Sequence, residues 1–256
     1  MDFVKINEEV WDQKVEEKYI WSRVVSSERV EKAKKGEWSI VLTPRKPVPK
    51  NWFPENLAGK KILCLASGGG QQGPIMSAIG GDVTVLDNCD SQLAQDRFVA
   101  DRDGLEIRTV KGDMRDLSMF EDESFDFIVH PWSNGYVDNV LPVWKEAYRV
   151  LKKGGILISG FGNPVEYIFD LKSMTEGNFV VRHKLPYSDL TSISSEELQE
   201  LVLDEGEGIC FAHTLEDQIQ GQIGAGFVIA GFYEDIGGSA LDQYMNGSIA
   251  TKAIKL

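Results

Sequence analysis

The pattern of apolar and polar positions changes character at residue 61. From there, short apolar runs alternate with helix-like stretches. "KILCLA" (61–66) is a continuous apolar run and predicts a buried strand; "PIMSAIGG" (74–81) predicts a short helix with Pro74 in its first turn and a glycine stop. "DVTVLD" (82–87) is rich in β-branched residues and predicts a second strand, followed by a helix over "SQLAQDRFVADRDG" (91–104) that ends on Gly104. "EIRTVKG" (106–112) and "FDFIVH" (125–130) predict the third and fourth strands. "DNVLPVWKEAYRVLKKGG" (138–155) predicts a helix with a glycine stop, and "ILISGF" (156–161) a fifth strand. Short links between alternating strands and helices indicate a doubly wound parallel sheet.

Two regions break the alternation. Residues 163–212 mix a helix-like "PVEYIFDLK", a strand-like "FVVRHKLPY" and a helix-like "SSEELQELVLDEG", and are expected to form an inserted cap. After a further helix over "TLEDQIQGQIGAG", "FVIAGFYED" and "SIATKAIKL" are two strands with no helix between them, which predicts an antiparallel terminal hairpin. Residues 1–58 read as an N-terminal segment preceding a main domain of 59–256. In it Ser27 caps a helix from Glu28 to Lys35, and the proline-rich "TPRKPVPKNWFP" is extended.

Composition narrows the function classes. With 42% hydrophobic and 26% charged residues the 256-residue chain is an ordinary globule. Its net charge of −13 disfavours a nucleic-acid partner. There is no apolar run long enough for a bilayer and no signal-peptide core, so a cytoplasmic protein without a membrane partner is expected. Cys64, Cys89 and Cys210 are widely spaced and suggest neither a zinc site nor a disulfide framework.

The candidate chemistry sits in "CLASGGGQQGP" (64–74). A glycine turn between strand and helix lets backbone approach a ligand, and Asp87, nineteen positions after Gly68, closes the second strand where it can accept hydrogen bonds from ribose hydroxyls. Turn and acid together imply an adenosine-type ligand. The spacing Gly68-x-Gly70-x-x-Gly73 also fits a dinucleotide fingerprint, and Tyr148 and Lys152, with Ser133 upstream, are spaced as in short-chain dehydrogenases. An NAD(P)-dependent oxidoreductase is therefore an alternative. Against it, Lys152 lies at a helix end, where a lysine suits the dipole, and the glycine turn comes after about sixty residues rather than at the chain start.

Later motifs favour a different reading. "GDMRDL" places Asp113 and Met114 directly after the third strand, where an acid can reach an adenine amine and a thioether can pack on the ring. "AYRVLKKGGILISGF" continues as helix, basic pair, double glycine and strand. On these segments the chain resembles the class I S-adenosylmethionine-dependent methyltransferases, most closely the small-molecule branch with a methyltransferase type 11 domain. The likeness is close over about 60–162 and looser over about 214–256.

The resemblance implies a Rossmann-like, mostly parallel seven-stranded sheet with S-adenosylmethionine as cofactor. It implies cofactor contacts from Ala66, Ser67, Gly68, Gly70, Gln72, Asp87, Asn88, Asp113, Met114 and His130, and no metal. Cys64 stands where the family carries an acid that helps hold the methionine ammonium end, which leaves a non-catalytic cofactor binder as a third reading. The Asn- or Asp-Pro-Pro-aromatic tetrad of amino-methylating enzymes is absent at His130-Pro131-Trp132. A small-molecule acceptor is expected. The candidate bases are His130, at the end of the fourth strand, and His213, before a helix.

Overall fold

The computed structural model describes residues 1–256. Nine strands form: β1 (Lys61–Leu65), β2 (Asp82–Asp87), β3 (Ile107–Lys111), β4 (Phe125–His130), β5 (Leu151–Gly162), β6 (Tyr187–Ser188), β7 (Phe211–Ala212), β8 (Phe227–Asp235) and β9 (Ser248–Lys255). Seven of them make one sheet in the order β3-β2-β1-β4-β5-β9-β8. The first five run parallel, while β9 inserts antiparallel between β5 and β8. The expected terminal hairpin is thus present, and its second strand, not its first, joins the parallel sheet. The order reverses between β1 and β4, which opens a crevice at the carboxyl ends of those strands.

Successive side chains of β1 point to opposite faces, so Ile62 and Cys64 join one core and Leu63 and Leu65 the other. The N-terminal segment contributes Val25, Val30, Ala33, Ile40, Leu42, Val48, Trp52, Phe53 and Leu57 to the first core. It shares its hydrophobic interior with the sheet.

Nine α-helices accompany the strands: α1 (Phe3–Glu16), α2 (Ser27–Lys34), α3 (Gln72–Ala78), α4 (Asp90–Asp103), α5 (Leu141–Val150), α6 (Leu171–Thr175), α7 (Asp189–Ser192), α8 (Ser195–Leu198) and α9 (Gly221–Ala225). α5 buries Val143, Trp144, Ala147 and Val150. It stops at Val150, one residue before the basic pair Lys152–Lys153, because Leu151 turns extended and pairs with Phe125. Lys152 therefore lies on β5, 3.0 Å from Asp126, and not on one helix with Tyr148.

The inserted segment departs most from its pattern. "PVEYIFDLK" splits into a 3-10 turn (Pro164–Ile168) and α6. "FVVRHKLPY" makes a single bridge, Phe169 to Val181, before β6. Val180 and Val181 are exposed, with no sheet face to cover them. "SSEELQELVLDEG" and "TLEDQIQGQIGAG" each contain a π-helical turn, Gln199–Leu203 and Glu216–Gln220. No helix is long and apolar enough to cross a membrane.

Candidate active site

A cavity of about 410 Å³ opens at the carboxyl edge of the sheet. The loops after β1, β2, β3 and β4 supply its floor through Ala66, Ser67, Gly68, Gln72, Asp87, Asn88, Asp113, Met114, Pro131, Trp132 and Ser133. Of the residues singled out in the sequence, eight cofactor candidates and His213 line it; Gly70 and His130 do not.

The glycine turn is built around two carboxylates. Gly68 N–H donates to Asp87 Oδ2 at 2.9 Å, and the N–H groups of Gly69 and Gly70 both donate to Asp96 Oδ2 at 3.1 Å. A Cβ at Gly68 would lie 2.7 Å from Gln92 Cβ and 3.0 Å from Asp87 Oδ2, so the turn tolerates no side chain there. Gly70 adopts φ +69° and serves the turn from behind: its carbonyl accepts Val25 N–H at 2.9 Å. Gln71 donates to the Ile20 and Arg23 carbonyls and Gln72 to the Val41 carbonyl, which ties the N-terminal segment to the turn.

Asp87 ends β2 at the cavity wall. Its Oδ1 accepts Cys89 N–H at 3.1 Å; burial raises its pKa, and the N–H groups of Gly68, Cys89 and Asn88 oppose the rise. Each oxygen keeps a lone pair for a further donor. Asp113 accepts Arg115 N–H at 2.8 Å and pairs with the Arg115 guanidinium at 2.6 Å, which bridges on to Asp138. Cys64 is fully buried in the sheet core, and burial pushes its thiol pKa up. A carboxylate is nevertheless close by: Asp96, on α4, sits under the turn. Burial and then the nearby charge of Asp87 push it up to about 8, against the N–H groups of Gly70 and Gly69.

His130 requires a correction. It is 0% exposed, with Nδ1 2.8 Å from the Leu65 carbonyl and Nε2 2.6 Å from the side-chain amide of Asn134. Neither ring nitrogen is open to a ligand, so it cannot contact cofactor or acceptor. The last side chain of a parallel strand here points into the layer under α5, where the ring meets Trp144 edge-on at 5.9 Å. Asn134 passes the chain on to Gln218 at 2.8 Å, and its carbonyl faces His213 Nε2 at 3.0 Å. His213 does reach the cavity, and burial lowers its pKa.

The roof comes from α1, which has no counterpart in the sequence reading. Asp2 caps it by accepting Lys5 N–H. Val4, Asn7, Trp11 and Lys14, spaced three, four and three, form one stripe that lines the cavity. That spacing behind an N-cap aspartate was the signal available in the sequence. Asn7 makes two hydrogen bonds to the Ile209 backbone, at 3.1 and 2.7 Å. Phe3 stacks edge-on against Phe211 at 4.9 Å and Trp11 against Tyr136 at 5.7 Å. Glu8 pairs with Lys111 at 2.6 Å, and Cys89 Sγ donates to Asp12 at 3.1 Å. Tyr136 and the cap's Tyr167, Cys210 and Phe211 close the remaining wall.

Comparison with known proteins agrees with this geometry. Residues 63–159 match the family model described as "Methyltransferase domain". The uncharacterized methyltransferase YbaJ of Bacillus subtilis is 56% identical over 98% of this chain and 97% of its own length. Among solved structures, an S-adenosylmethionine dependent methyltransferase from Mesorhizobium loti superposes with TM-score 0.59 at 16% identity, covering 80% of this chain and 94% of its own. Geranyl diphosphate C-methyltransferase from Streptomyces coelicolor, solved with Mg2+, geranyl diphosphate and S-adenosyl-L-homocysteine, gives TM-score 0.53 at 14% identity over 78% of this chain and 74% of its own.

Proposed function

The chain belongs to the S-adenosylmethionine-dependent methyltransferases, and we propose that its acceptor is a small organic molecule enclosed between the sheet edge, the cap and α1. One observation carries this reading: a single cavity runs from Asp87 at the sheet edge to an aromatic chamber roofed by α1. A polymer would need a long open groove, whereas a pocket walled by the sheet edge, the cap and α1 suits a small ligand.

The residues at the sheet edge fit the cofactor. Asp87 accepts hydrogen bonds from its ribose, Asp113 and Met114 hold the adenine with Asn88 beside them, and Ala66, Ser67, Gly68 and Gln72 frame the amino-acid portion. Bound there, the cofactor supplies a methyl group already activated by a sulfonium. The protein's part is to align the acceptor, an effect worth roughly 7–11 kcal/mol in well-oriented reactions. His213 is the candidate base for an acceptor that must lose a proton.

Calorimetric titration tests the cofactor assignment. S-adenosylhomocysteine should bind and nicotinamide dinucleotides should not. Asp87→Ala, which removes charge-assisted hydrogen bonds, should weaken binding at least ~10-fold in a variant that keeps its fold. Unchanged affinity would remove Asp87 from the site. Metabolite fractions screened for S-adenosylhomocysteine formation should contain the acceptor, and efficient methylation of RNA or DNA would overturn the small-molecule reading.

A further inference from the structure

Five charged groups line the cavity: Lys14, Asp87, Asp113, Arg115 and Glu207. Three of them have their charge committed at the sheet end, Asp87 to backbone N–H groups and Asp113 to Arg115. The chamber end is different. Lys14 there is 6% exposed, and its one hydrogen bond goes to Glu207 Oε2 at 2.9 Å. The Glu207 side chain is itself 55% exposed, so water screens the counter-charge and leaves the ammonium as the buried charge of the chamber. Nζ lies 4.5 Å from the Tyr19 ring centroid and 5.9 Å from that of Trp11, which steadies a cation without using its remaining N–H groups.

In a chain of net charge −13, a buried lysine on the one helical stripe that faces the cavity is a selective feature. An ammonium so placed repels a cationic ligand and has donors to spare for an anion.

We propose that Lys14 reads an anionic group, a carboxylate in the first instance, on an acceptor whose flat apolar body packs among Trp11, Tyr136, Tyr167 and Phe211. The inference rests on the methyl-transfer reading for its setting. Glu207 is then the resident competitor for Lys14, displaced or shared when the acceptor binds. The cofactor also carries a carboxylate, so the two sources must be separated.

The probes are benzoate, 4-hydroxybenzoate and cinnamate, each with its neutral primary amide, titrated into protein saturated with S-adenosylhomocysteine. At least one acid should bind about tenfold or more tightly than its amide. Lys14→Met should abolish that preference and Lys14→Arg should retain it. Glu207→Gln should strengthen acid binding, a gain that a merely structural tie between α1 and the cap would not produce. S-adenosylhomocysteine affinity should stay within about threefold in Lys14→Met. Equal binding of every acid and amide, no binding of any acid, or a preference that survives Lys14→Met would overturn the proposal. A tenfold loss of S-adenosylhomocysteine affinity in Lys14→Met would assign the lysine to the cofactor instead. Failure of S-adenosylhomocysteine to bind the wild type would strike the methyl-transfer reading, whereas titration of the same acids into unloaded protein would still report on Lys14.

Discussion

Asn134 joins the two histidines through different atoms. Its side chain engages His130 Nε2 and Gln218, while its carbonyl takes the hydrogen on His213 Nε2. That bond fixes the hydrogen on His213 Nε2, and burial lowers the pKa of the ring. His213→Ala should lower turnover ~100-fold if the acceptor loses a proton to it. In the wild type the acid limb of the pH profile should fall below the ordinary histidine pKa of ~6.5. A variant with full turnover would exclude it as base. Asp96 makes a second residue-scale case. Its pKa, raised to about 8, means the native state holds a proton that the unfolded chain releases near ~3.9. Stability from this group is greatest at low pH, declines as pH rises between those two values, and levels off above the upper one. Asp96→Asn keeps an oxygen for Gly69 and Gly70 but cannot ionise. Relative to wild type it should therefore gain stability in urea unfolding from pH 5 to pH 8. A constant difference across that range would show that Asp96 does not titrate there.

Among the elements, α1 roofs the cavity. Its links run to the cap through Asn7 and Phe3, to β3 through Glu8 and to the β2–α4 loop through Asp12, while none of its residues belongs to the two sheet cores. Deleting residues 1–16 should therefore leave one cooperative unfolding transition of the sheet domain and speed S-adenosylhomocysteine release at least ~10-fold in stopped-flow fluorescence. Unaltered release would mean that the ligand leaves by another route. The elements also differ in legibility. β1 and β4 were readable because strands buried on both faces are continuous apolar runs. The cap was not, because its short turns are held by individual contacts such as the Ser194–Glu197 capping box and the Arg182–Asp170 pair, which leave no period in the sequence. α1 carried a readable stripe that was masked by its acidic residues.

At the scale of the molecule, the sequence alone determined the strands that make up the sheet, the glycine turn, and the acids at the ends of β2 and β3. Each depends on local chemistry: burial periodicity, glycine conformations, and a carboxylate a set distance after a turn. Tertiary structure decided everything that needs two distant segments at one place. Whether a strand-end histidine faces ligand or core depends on what packs over it, and Trp144 and Asn134 placed His130 inside. Asp96, 32 positions after Cys64 and on α4, is brought under the glycine turn, where it accepts the Gly69 and Gly70 N–H groups. The chamber joins Lys14 to Glu207, 193 positions apart, an encounter that no window of sequence contains because only the folded sheet brings the N-terminal helix and the cap to the same edge.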